Sequence, residues 1–181
     1  TVQPWKAAFW GDSRHNGFNG STVDVAGSGV NSIAYRDPLW VCGAMGDVEY
    51  SRSYAVSGDT ASAWNSAART NGKTFASLNT SDVDVVFIQY GVNDTIAGTA
   101  AATLAGYLQN LITEIFKSGK LVVFESIYPV NTPCSNYVAA QVIIDATNAL
   151  MQAWLVNYPT QAVYVDIATT FKAGGTYASY T

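Results

Sequence analysis

The apolar positions fall into short unbroken runs and longer periodic stretches, in alternation. The runs are "WKAAFW" (5–10), "VDVVFIQY" (83–90), "KLVVFESIY" (120–128) and "QAVYVDI" (161–167), with a weaker one in "VEYSRSYAV" (48–56). None alternates cleanly between apolar and polar, as expected of strands covered on both faces. Between them lie helical patterns. In residues 99–119, Leu104, Leu108, Leu111, Ile112, Ile115 and Phe116 recur at three and four, and Gly119 ends the pattern. In residues 137–159 the expected buried stripe is Val138, Val142, Ala146, Ala149, Leu150 and Trp154, with Pro159 past its end. Shorter helices are expected near 38–45 and 60–69. Strands alternating with helices predict βαβ units around a parallel sheet of about five strands. Residues 15–36, rich in Gly, Asn and Ser, read as a long loop over one sheet edge. After 161–167 no closing helix is expected from "ATTFKAGGTYASYT".

Composition narrows the function. The 181 residues suit a single domain; 49% are hydrophobic and 12% charged, which supports a real core. The net charge of −4 comes without a basic run, so no nucleic-acid partner is expected. No apolar run reaches the ~18 residues that span a bilayer, so no membrane partner is expected either. Cys42 and Cys134 are far apart and form no CxxC or Cys/His cluster, which argues against a metal site. They read either as two buried thiols or as a disulfide. A surface built from Ser, Thr, Asn, Gly and Tyr suits an extracellular (secreted) or virion-surface protein.

Three polar clusters follow strand ends: "GDS" (11–13), "SGDT" (57–60) and "GVND" (91–94). In an open parallel sheet, ligands bind beyond the carboxyl ends of the strands. A serine at a strand-to-helix turn offers a hydroxyl and its own N–H. A glycine lets a backbone N–H approach a reacting oxygen. An asparagine amide adds a neutral donor. Together these residue types fit acyl transfer with an oxyanion hole.

The ordered set resembles the SGNH, or GDSL-like, hydrolase family, through "FWGDSR", "YAVSGDT" and "IQYGVND". The likeness runs over about residues 6–170. It implies a flavodoxin-like α/β/α sandwich, an esterase and no cofactor. It also implies catalytic Ser13 as nucleophile, with Gly58 as backbone donor and Asn93 as side-chain donor; Asp12 and Asp94 would support their own turns. A substrate rim is expected from His15, Asp59, Tyr90 and Asp94, joined by Trp40, Tyr54 and Trp64, unless the tryptophans are core residues. The chain departs from the family in lacking its DxxH block. His15 is the only histidine, and at two residues from Ser13 it points elsewhere. The triad Asp and His are therefore expected from a missing C-terminal segment or a second chain, with another base such as His15 in their place as the alternative. Asp166 reads as a strand-end residue that caps a turn. The expected substrate is a small acyl ester, foremost an O-acetyl group on a glycan. Two rivals are a catalytically degenerate glycan-binding or adhesion module, and a flavodoxin-type binding domain. The second is disfavoured because "GDSRHNG" lacks a Ser/Thr-rich phosphate cradle.

Overall fold

The computed structural model describes residues 5–12, 48–53, 55, 58–64, 83–130 and 137–173. Five strands, β1 (Trp5–Gly11), β2 (Val48–Ser53), β3 (Val85–Gln89), β4 (Leu121–Glu125) and β5 (Ala162–Val165), form one sheet in the order β2-β1-β3-β4-β5. Every pairing is parallel. The helices are α1 (Ala61–Trp64), α2 (Val92–Ile96), α3 (Ala101–Lys117), α4 (Tyr137–Leu155) and α5 (Ile167–Ala173). The order reverses direction between β1 and β3, and the crevice at such a switch point is where open α/β sheets bind ligands.

The central strands are buried on both faces, which is why their sequences run apolar without alternation. On one face Ala8, Trp10, Val86, Ile88, Val122 and Phe124 pack with α3 and α4. On the other, Ala7 and Phe9 join Val85 and Phe87, and Phe9 stacks on Phe87 at 4.7 Å between ring centroids. Edge strand β5 departs from the expectation. Val163 and Val165 are exposed while Ala162 and Tyr164 pack inward, because among the described residues this edge strand is covered on one face only.

The periodicity of α3 reads correctly. Leu104, Leu108, Leu111, Ile112 and Ile115 are buried, and Phe116 packs beside Trp154 and Tyr158. Gly119, at φ +71, occupies the left-handed position that ends the helix. The stripe expected for α4 is right only at Trp154, which packs against the core. Val138, Val142, Ala146, Ala149 and Leu150 are exposed, and the sheet instead receives Ala140, Ile144, Thr147, Asn148, Met151 and Leu155. Apolar residues occur all round this helix, so spacing alone selects neither face.

The missing closing helix is a second correction, since α5 follows β5 directly. Its start is built by two side chains. Asp166 Oδ1 accepts the Thr169 N–H at 2.9 Å, and Ser126 Oγ accepts the Ala168 N–H at 2.8 Å. The capping role read for Asp166 is thus correct, but what it caps is a helix. The loop at 15–36, the helix expected at 38–45, the remainder of that at 60–69, and Cys42 and Cys134 lie outside the described residues.

Candidate active site

Three strand ends meet at the switch point. β1 ends at Gly11, paired with Gln89 at the end of β3, and the Asp12 N–H donates to the Gln89 carbonyl at 3.3 Å. Asp12 is fully buried. Ser13 and His15 lie outside the described residues, as do Trp40 and Tyr54.

Gly58 has φ +78 and is exposed, and a Cβ built there would meet nothing within 4 Å. The backbone conformation, not crowding, is what calls for glycine. Beyond it Thr60 starts α1: its Oγ1 accepts the Ala63 N–H at 3.1 Å. The two remaining N–H groups of that turn are met from 33 and 32 residues away. Asp94 Oδ2 accepts from Ala61 at 2.8 Å, and Asp94 Oδ1 accepts from Ser62 at 3.0 Å. Expected to support its own turn, Asp94 instead caps the helix after Gly58.

Asn93 lies in the first turn of α2, after Gly91. Its Nδ2 donates to the Asp59 carbonyl at 2.8 Å. A carboxamide nitrogen carries two hydrogens. One is fixed on Asp59, so the amide plane is set and the second N–H stays available to a ligand. Tyr90 adds a further link, its hydroxyl donating to Asp59 Oδ2 at 3.3 Å, while Asp59 Oδ1 accepts the Thr60 N–H at 3.0 Å. Residues 90, 93 and 94 therefore hold residues 59–62 through four hydrogen bonds. The two oxyanion-donor candidates, Gly58 and Asn93, belong to one braced unit.

The rim assigned to Asp59, Tyr90 and Asp94 is corrected. Their exposures are 5%, 0% and 1%, so they lie beneath the edge as its supports. Trp64 is core too, stacked on Trp10 at 4.9 Å. Hydrogen bonding places these polar side chains inside. Nothing in their spacing shows that Asp94 reaches Ala61.

Two buried polar residues escaped the sequence reading. Gln89 is fully buried, and neither polar atom of its amide has a partner among the described residues. A polar residue interrupting the apolar run just before "YGVND" was the available signal. Asn148, inside α4, clamps the backbone after β4: its Oδ1 accepts the Ile127 N–H at 2.8 Å and its Nδ2 donates to the Ile127 carbonyl at 3.0 Å. No local pattern marks it.

Two results are expected here. Asp94→Ala leaves two N–H groups at a buried helix start without their acceptor and should cost about 2–3 kcal/mol. Asp94→Asn, which keeps one acceptor, should lose less; urea unfolding compares them. The second concerns pH. Burial first, then the Asp59 carboxylate, push the Tyr90 phenol well above its usual 10.0. A phenol raised in the folded state contributes its stability fully below about pH 10 and loses it as pH climbs towards the folded value. Stability should therefore fall above pH 10, and less steeply in Tyr90→Phe.

Comparison with known proteins agrees with this architecture. A family model for the GDSL-like lipase/acylhydrolase family matches residues 9–181, and the chain belongs to that family. Its fold is that of the SGNH hydrolases. A lipolytic protein of the G-D-S-L family from Veillonella parvula superposes with a TM-score of 0.67 at 15% identity, covering 94% of this chain and 82% of its own. A phospholipase A1 from Streptomyces albidoflavus gives 0.63 at 18%, covering 93% and 82%. A mutant of an acetyl-xylooligosaccharide esterase from Geobacillus Stearmophilus gives 0.63 at 16%, covering 94% and 79%. Comparison with curated proteins returns no match. The family's chemistry is acyl-ester hydrolysis.

Proposed function

We propose that the protein is a serine esterase for small acyl esters, foremost O-acetyl groups on a carbohydrate. The observation that carries this reading is the braced pair at the switch point: Gly58 at φ +78, and Asn93 with one amide hydrogen spent on Asp59. Donors held in advance cost no reorganisation when charge develops on the carbonyl oxygen. The acetyl-xylooligosaccharide esterase among the structural neighbours supports the sugar substrate.

In this mechanism a histidine base takes the proton from the Ser13 hydroxyl as its oxygen attacks the ester carbonyl. The tetrahedral oxyanion rests on the N–H groups of Ser13 and Gly58 and on the free Asn93 N–H. The alkoxide leaves with the proton from the histidine, and water then hydrolyses the acyl-enzyme by the same base. No DxxH occurs in the sequence and its one histidine is His15, so the reading takes the base and its carboxylate from outside these residues. No cofactor enters any step.

The test is hydrolysis of p-nitrophenyl acetate, a long-chain p-nitrophenyl ester and acetylated xylo-oligosaccharides. Wild type is compared with Ser13→Ala and His15→Ala. Expected is acetyl-selective turnover that Ser13→Ala abolishes and His15→Ala spares. If the 181 residues alone are inactive, the same assay on a chain continued past Thr181 takes their place. Turnover indifferent to Ser13, or none in either chain, sinks the reading. Glycan affinity that survives Ser13→Ala without turnover would favour the binding-module alternative. Preference for the long-chain ester would refute the substrate assignment.

A further inference from the structure

Position 90 belongs to the core. Tyr90 is fully buried, its ring meets Trp64 edge-on at 6.2 Å, and Trp64 stacks on Trp10 at 4.9 Å. A phenylalanine would fill the same volume. The hydroxyl is an addition, and in an aromatic core it is unfavourable unless hydrogen-bonded. It donates to Asp59 Oδ2 at 3.3 Å.

Three positions on, Asn93 Nδ2 donates to the carbonyl of the same residue, Asp59, at 2.8 Å. The connection between β3 and α2 thus grips Asp59 at two atoms, one on its side chain and one on its main chain. A single bond acts as a hinge, about which amide and carbonyl can swing together. Two bonds fix an orientation. The bond from the Thr60 N–H to Asp59 Oδ1, at 3.0 Å, is local and turns with the segment. Asp94 accepts from Ala61 and Ser62, so it holds α1 and not the peptide group that meets Asn93. Tyr90 ties that group to a ring that the core keeps still.

We propose that Tyr90 is a positioning residue: its hydroxyl, acting through Asp59, fixes the plane of the Asn93 amide and with it the direction of the second N–H. The inference rests on the esterase reading in taking that N–H as an oxyanion donor. Being fully buried, the phenol makes no contact with substrate itself. Direction matters because hydrogen bonds prefer angles above about 150° and weaken steeply as they bend. A donor that must first turn towards the oxygen loses to reorganisation part of what it contributes in the transition state.

The test is a double-mutant cycle in the chain that hydrolyses p-nitrophenyl acetate in the assay above. Tyr90→Phe should lower kcat about tenfold with KM unchanged, since the orientation matters only where charge develops. In an Asn93→Ala background the same substitution should change kcat less than about twofold, because no amide is left to orient. A merely structural hydroxyl would cost the same with and without Asn93. Hydrogen exchange of the Asn93 side-chain amide, followed by NMR in the 181 residues, gives a readout free of turnover. Tyr90→Phe should speed that exchange about tenfold, with far-UV circular dichroism unchanged. A kcat within about twofold of wild type, or an equal loss with and without Asn93, overturns the proposal. If no chain turns the ester over, the esterase reading falls and the exchange decides the linkage by itself. An unchanged rate then overturns it, and a faster one upholds it.

Discussion

Replacing Asn93 with alanine is expected to lower kcat on p-nitrophenyl acetate by about 10²–10³-fold, the usual effect of removing one oxyanion donor, with little change in KM. The argument rests on what the amide does before and during reaction. Its bond to the Asp59 carbonyl, at 2.8 Å, exists without substrate. Losing that bond should cost the fold only about 1 kcal/mol. In the proposed mechanism the second N–H has nothing to stabilise until the carbonyl oxygen becomes negative. An interaction made only in the transition state appears in kcat rather than in KM. Steady-state kinetics alongside urea unfolding separates the two roles. A fall in kcat that merely tracks the unfolded fraction would show Asn93 to be a brace alone.

Gly91→Ala should be the most damaging single-methyl change in the described core. Gly91 sits at φ +120 and ψ −17 as the residue before α2, a backbone conformation that side chains rarely adopt. A Cβ there would lie 2.6 Å from Ile127 Cδ1, 3.2 Å from Ile127 Cγ1 and 3.4 Å from Leu104 Cδ2. Ile127 and Leu104 are both fully buried. The Ile127 side chain has little room to rotate away because it is fully buried, and a shift of its backbone would break the two hydrogen bonds from Asn148. Strain of about 1–3 kcal/mol and overpacking of about 1–3 kcal/mol combine to roughly 2–6 kcal/mol. For a chain of this length that is a fall in Tm of about 5–15 °C. Calorimetry measures it. Activity should fall further than stability, since the turn that must shift leads directly into Asn93. A Tm within 2 °C of wild type, set against the roughly 5 °C minimum expected, would mean that the loop relaxes without resistance.

These two residues divide differently between sequence and structure. Asn93 was legible as a candidate donor, because "GVND" after a buried run is a local signal and its chemistry belongs to the residue type. That Asn93 has one hydrogen committed and one available depends on Asp59, 34 residues away, and no spacing rule encodes that pairing. Asp94 makes the same point. Its type suggested support, but its partners, Ala61 and Ser62, belong to another strand connection.

The sequence by itself determined the order of the five strands and the two long helices α3 and α4, the parallel sheet, the three polar clusters at strand ends and the buried stripe of α3. Each follows from periodicity or residue chemistry within one short segment. Tertiary structure alone decided which face of α4 meets the sheet, that β5 lies at an edge with Val163 and Val165 uncovered, and that α5 forms where Asp166 and Ser126 cap it. It also turned Asp59, Tyr90 and Asp94 from an expected rim into buried supports. Each depends on partners distant in sequence. On a helix apolar all round, two faces share one spacing, and a carboxylate is stable in the interior only where distant N–H or hydroxyl groups converge on it.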